Sequence, residues 1–158
     1  MAKMGTAFDT PFDLVLGRRT YDIFAAHWTR TEEPPAALFN ACTKYLATSR
    51  PDSADWGPMV HLGDDPAAAL AEIKAGDGPD LLVQGSSSLG RAILAAGLFD
   101  EIQIWTFPVI LGAGKRVFDG AALPGALELV DSATSGTGVL MNVYRPKGPI
   151  ETGSFALE

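Results

Sequence analysis

Twice in this chain a short apolar run ends beside a glycine and turns at once into a segment of helical periodicity: DLVLGRRTYDIFAAHW at residues 13–28 and LLVQGSSSLGRAIL at residues 81–94. A strand that passes directly into a helix needs a crossover connection, and crossovers join parallel strands. Tyr21, Phe24, Ala25 and Trp28 then recur at helical spacing. The alternation continues with ALFNAC as a short helix, KYLATSRP as a strand stopped at Pro51 and MVHL as a short strand. PAAALAEIKA reads as a helix with Asp65 at its N-cap, Pro66 in its first turn and Gly76 at its end.

The pattern changes near residue 100. DEIQIWTFPVI reads as a long strand apolar on both faces, the mark of a central strand, and LGAGKRVFDG as a glycine-rich loop. ALELVDSAT and VLMNVYR each alternate with period two around the turn SGTG. The predicted class is therefore α/β: a mixed sheet of about seven strands flanked by helices and closed by a C-terminal antiparallel hairpin. No repeat, linker or low-complexity tract divides the 158 residues, so one domain over residues 1–158 is expected.

Nineteen acidic against twelve basic residues give a net charge of −7, the wrong sign for a protein that neutralises a nucleic-acid backbone. No apolar run approaches the roughly 18 to 20 residues of a membrane span. MAKMGTAFDTP lacks the apolar stretch of a secretory signal, and the lone Cys42 cannot form an internal disulfide, so a cytoplasmic protein is expected. The partner left by these exclusions is a small molecule. With only His27 and His61 as imidazoles and no cysteine at ligand spacing, no metal site is predicted. Asp100 and Glu101 are neighbours on a strand, point to opposite faces and do not form a catalytic pair. Trp105 and Phe107 are expected in the core, and Lys115 and Arg116 in a structural or solvated role.

Two junctions could carry chemistry: Gly17-Arg18-Arg19-Thr20 and Gly85-Ser86-Ser87-Ser88. The first-turn amides of a helix lack internal partners and carry about half a positive charge, which favours an anion. Glycine admits a ligand close to the backbone, hydroxyls add donors, and arginine offers a fork matched to phosphate oxygens. Serine is also an ordinary N-cap and glycine an ordinary turn residue, so either junction alone carries little. Two of them can converge at the C-terminal edge of one open sheet, where α/β proteins bind ligands. Their spacing matches neither the three-glycine dinucleotide fingerprint nor the P-loop. A third element, Thr48-Ser49-Arg50, reads either as a solvated turn or as a contact for the 2′-phosphate of an adenosine.

GRRTY, YLATSRP, LLVQGSSSLGRAIL and above all DEIQIWTFPVILGAGKRVFDG, in this order, resemble the dihydrofolate reductase superfamily. The likeness is closer to the reductase (C-terminal) domain of bacterial riboflavin-biosynthesis deaminase-reductases and their stand-alone relatives, and it covers about residues 12 to 145. The resemblance implies an NADPH-dependent reductase that delivers hydride to a small heterocycle or carbonyl, of the 5-amino-6-(5-phosphoribosylamino)uracil reductase type. It places Gly17, Arg18, Arg19, Thr20, Thr48, Ser49 and Arg50 at the adenosine and phosphate end, and Gly85, Ser86, Ser87, Ser88 and Leu89 at the pyrophosphate. It names no catalytic side chain, and it implies a homodimer. Two departures stand out. Where relatives carry two adjacent glycines, joined in dihydrofolate reductase by a cis bond, this chain has Gly85-Ser86. Relatives also begin with a strand, central in the sheet, and a covering loop ahead of the Gly-Arg-Arg-Thr segment, and MAKMGTAFDTPF does not read as a replacement. The competing expectation is a non-catalytic nucleotide-binding or oligomeric module.

Overall fold

The computed structural model describes residues 10–118 and 123–153. The end of the glycine-rich loop and nearly all of the N-terminal stretch weighed as a replacement strand lie outside the described residues. In chain order the elements are β1 (Phe12–Gly17), α1 (Arg18–Trp28), α2 (Pro34–Ala41), β2 (Lys44–Ala47), a 3-10 turn (Pro51–Ser53) and β3 (Met59–His61). There follow α3 (Pro66–Lys74), β4 (Asp80–Val83), α4 (Ser87–Ala95), β5 (Ile102–Thr106), β6 (Ala126–Thr134) and β7 (Leu140–Gly148). The α/β class and the C-terminal hairpin are as expected. The seven strands are divided, however, between a parallel sheet ordered β3-β2-β1-β4 and an antiparallel sheet ordered β5-β7-β6.

Strand β1 is the centre of the parallel sheet, and its composition explains why. Phe12, Leu14 and Leu16 face one side with Tyr21, Phe39, Leu46 and Trp56, while Val15 faces the other with Leu62, Leu70, Leu89 and Ile93. A strand covered on both faces needs apolar residues in both phases of its alternation. The one carboxylate in that run, Asp13, is buried and accepts the Thr43 amide at 2.8 Å. Trp28 packs with Phe24 and Phe39 on the α1 side.

The central-strand pattern read in DEIQIWTFPVI needs correction. β5 is an edge strand among the described residues that ends at Thr106, before Pro108, and its Ile102 and Trp105 line an open cleft. Trp105 and Phe107 are 36% and 56% exposed, so neither is in the core. The cleft, about 1180 Å³, lies between the outer edges of β4 and β5 and is lined by Leu81, Val83, Leu98, Phe99, Ile102 and Trp105 among others. Neither edge carries a strand among the described residues. The Asp80 amide donates to Pro11 O at 3.1 Å, so the alternation of the strand points the Leu81 and Val83 amides toward the cleft. In the hairpin, the Ser135 hydroxyl accepts from the amides of Thr137 and Val139, and Gly138 supplies a φ of +82°.

Candidate functional site

The two glycine junctions meet. β1 and β4 are adjacent and parallel, in register from Phe12 with Asp80 to Val15 with Val83, so their C-terminal ends deliver α1 and α4 to the same edge. There Gly17, Arg18, Arg19, Thr20, Gly85, Ser86, Ser87, Ser88 and Leu89 line one pocket of about 810 Å³. Two hydrogen bonds lock the junctions together across the sheet. The Gly17 amide donates to Ser86 Oγ at 2.8 Å, and the Ser86 amide donates to Thr20 Oγ1 at 3.1 Å.

This answers whether the serines are ordinary caps. Asp65 caps α3 as expected, its carboxylate accepting the Ala68 amide at 3.1 Å. Neither Gly17 ahead of α1 nor Ser86 ahead of α4 makes a side-chain cap bond, because the Ser86 hydroxyl is turned away to Gly17. The first-turn amides of both pocket-facing helices are left without side-chain caps, beside a common cavity. Ser86 holds this geometry at φ +55° and ψ +52°, in the left-handed region, and Gly85 precedes it at φ +62°. The Gly85–Ser86 bond is trans; among the described residues the cis bond is Gly57–Pro58. A Cβ on Gly85 would meet Thr20 Oγ1 at 3.3 Å, so the close approach of the two junctions itself demands glycine there.

The charges on the pocket wall are all of one sign. Arg18, Arg19 and Lys115 line it with no aspartate or glutamate, in a chain whose net charge is −7. The three cations are not equivalent. The Arg18 guanidinium is held by protein acceptors: Nε by Asp22 at 2.8 Å, Nη1 by Arg50 O at 2.9 Å and Ser53 Oγ at 2.8 Å, and Nη2 by Ser53 O at 3.1 Å. It also lies 5.8 Å from the Tyr21 ring centre. Arg18 therefore anchors the chain after β2 to the start of α1. Arg19 is exposed at the pocket.

Thr48, Ser49 and Arg50 are placed beside the pocket rather than in its wall. β2 ends at Ala47, which does line the cavity, and the three residues continue behind the Arg18 guanidinium. Thr48 Oγ1 accepts the Arg50 amide at 3.1 Å, and Thr48 O meets His61 Nε2 at 2.7 Å. Lys115, expected in a structural or solvated role, also lines the pocket: the glycine-rich loop carries its ammonium to Ser87 Oγ at 2.9 Å. The signal was present in the GAGK spacing but gave no hint of which junction the loop would reach.

No carboxylate, imidazole or thiol lines this pocket, and among the described residues no group of three His, Cys, Asp or Glu could hold a metal ion. The ionisable groups with displaced equilibria lie behind the sheet. Burial pushes the Tyr21 hydroxyl up, against a backbone hydrogen bond to Trp56. Burial likewise raises the Cys42 thiol and lowers the Lys44 ammonium. The site can thus bind and orient an anion.

The model of the RibD C-terminal domain family matches residues 8–141. Protein YyaP of Bacillus subtilis (strain 168) is 26% identical over 149 residues, covering 90% of this chain and 79% of YyaP. The crystal structure of a putative riboflavin biosynthesis protein from Shewanella sp. PV-4 superposes with a TM-score of 0.65 at 19% identity, over 88% of this chain and 75% of that one. A pyrimidine reductase-like protein from Corynebacterium diphtheriae gives a TM-score of 0.54 at 16% identity, over 85% of this chain and 61% of that one. The parallel sheet and the antiparallel hairpin sheet are accordingly those of a dihydrofolate reductase-like fold, and the chain belongs to the RibD C-terminal domain family.

Proposed function

We propose that this chain is an NADPH-dependent reductase acting on a small heterocyclic or carbonyl substrate, in the manner of the uracil reductases of riboflavin biosynthesis. The observation that carries the reading is the interlock of the two junctions, which turns the uncapped N-termini of α1 and α4 onto one wholly cationic pocket. Such a donor set fits a pyrophosphate: backbone amides at two helix ends, the Ser87 and Ser88 hydroxyls, and the ammonium and guanidinium of Lys115 and Arg19. Bound NADPH would supply the hydride. The chain's own residues hold and orient it.

Beyond the pocket, Ser49 and Arg50 follow the end of β2, and Arg50 is exposed within reach of the chain that Arg18 anchors. In this reading Arg50 meets the 2′-phosphate. Titration of NADPH and NADH into the protein, followed by tryptophan fluorescence and thermal shift, tests both parts. Saturable binding of NADPH at micromolar levels, weakened more for NADPH than for NADH by Arg50→Ala, supports the reading; no response to millimolar NADPH rejects it.

A second reading is favoured by the cleft. Two strand edges without a partner strand among the described residues flank a cleft of about 1180 Å³ beside the pocket, which also suits a nucleotide-binding module without catalysis. Oxidation of NADPH in the presence of a pteridine-like or carbonyl substrate would exclude it.

A further inference from the structure

Lys115 lies where a cation has no electrostatic reason to lie. Its ammonium donates to Ser87 Oγ at the first position of α4, the positive end of that helix, where a positive charge is unfavourable. Arg19 sits at the corresponding end of α1, and among the described residues no carboxylate lines the pocket to compensate either. Unlike Arg18, whose guanidinium is consumed by Asp22, Arg50 O and Ser53, Lys115 has as its hydrogen-bond partner among the described residues a hydroxyl that can exchange partners. The loop that brings it turns at Gly112, at φ +75° with open space around it, and leads from β5 toward β6. Lys115 is thus an arm from the antiparallel sheet laid across the mouth of a site built on the parallel one.

We propose that Lys115 is a specificity-determining residue for the bridging diphosphate of the ligand, reaching it from the glycine-rich loop beside the N-terminus of α4. The proposal rests on the NADPH reading for the identity of the ligand, but its chemistry requires only a diphosphate between α1 and α4. It predicts a trade: without ligand Lys115 is a surplus positive charge, and with ligand it is a counter-charge.

The test compares wild type, Lys115→Gln and Lys115→Arg by isothermal titration calorimetry against NADPH, inorganic pyrophosphate and adenosine 2′,5′-bisphosphate, which lacks the diphosphate bridge. Lys115→Gln should weaken NADPH and pyrophosphate about tenfold, leave the bisphosphate within twofold, and unfold without ligand at the same temperature as wild type or slightly higher. Lys115→Arg should recover NADPH to within threefold. Equal losses for NADPH and bisphosphate, or no loss for NADPH and pyrophosphate, would overturn the proposal. If wild type binds pyrophosphate but not NADPH, and Lys115→Gln weakens the former, the reductase reading fails while the role of Lys115 stands. Binding of neither by wild type removes both.

Discussion

Ser86 is asked to do two things that oppose one another. Its hydroxyl fastens the Gly17 amide, and its backbone occupies the left-handed region, which costs a residue with a Cβ about 1–2 kcal/mol. The two contributions separate by substitution. Ser86→Ala loses the hydrogen bond and keeps the strain, whereas Ser86→Gly loses the bond and sheds the strain, so the glycine variant should be more stable by roughly 1 kcal/mol in urea unfolding. Tyr21 offers a second separation. It is 1% exposed, and its hydroxyl both accepts the Trp56 amide and donates to Trp56 O. Tyr21→Phe leaves both groups unmatched and should cost about 1–3 kcal/mol at neutral pH. Because burial raises the Tyr21 hydroxyl above its ordinary 10.0, the unfolded chain ionises first. The stability from Tyr21 is complete below pH 10 and is lost as pH rises through the folded-state value, so the gap between wild type and Tyr21→Phe narrows above pH 10. A gap that stays constant from pH 7 to 11 would rule this out. Neither role could be read from the sequence: a serine after a glycine looks like a cap, and only the position of β1 beside β4 shows that its hydroxyl has another partner.

At the scale of elements, what aligns α1 and α2 with the sheet is a buried polar knot. Lys44 at the start of β2 is fully buried, and its ammonium donates to Asn40 O at 2.9 Å, Cys42 O at 2.7 Å and Gly57 O at 3.3 Å while lying 4.5 Å from the Trp56 ring centre. Asn40 completes the knot, donating to Trp28 O and accepting from Trp56 Nε1, each at 2.8 Å. The end of α1, the end of α2 and the chain before β3 are thereby fixed to one another. Lys44→Met keeps the apolar stem but strands three carbonyls, and a loss of about 2–3 kcal/mol is expected by thermal or urea unfolding, with NADPH affinity little changed. The elements themselves were legible. Asp65-Pro66 and the SGTG turn act through neighbours in sequence, so local chemistry sufficed to place α3 and the hairpin, whereas β2 ends at Ala47, short of the stop read at Arg50-Pro51. Lys44 was not legible, because a lysine that opens a strand reads as exposed until the carbonyls that receive it, two of them at a helix end, are brought around it. β5 failed for the complementary reason: apolar residues on both faces record what a strand is suited to meet, and here one of its edges meets a cleft.

Across the whole molecule, the junctions were legible as a pair because two strand-to-helix turns in one parallel sheet must open at the same edge. The third cation was not, because Lys115 arrives from the other sheet and contact between sheets leaves no periodic trace. The separation of the sheets has its own test. The Asp80 and Leu82 amides face β1, and those of Leu81 and Val83 face the cleft, so within one four-residue strand hydrogen exchange should alternate, Leu82 slower than Leu81 and Val83 by tenfold or more. Uniform protection along β4 would mean that the cleft edge is covered. Gly85 is the point where the two cavities touch, since it borders both the cationic pocket and the cleft. Apart from that residue, the cleft is lined by residues outside the pocket, Val15, Leu81 and Val83 among them, while the anion seat is drawn mainly from the starts of α1 and α4 and one lysine. A lineage could therefore exchange the walls of the cleft, and with them whatever molecule is accommodated there, while inheriting the seat unaltered.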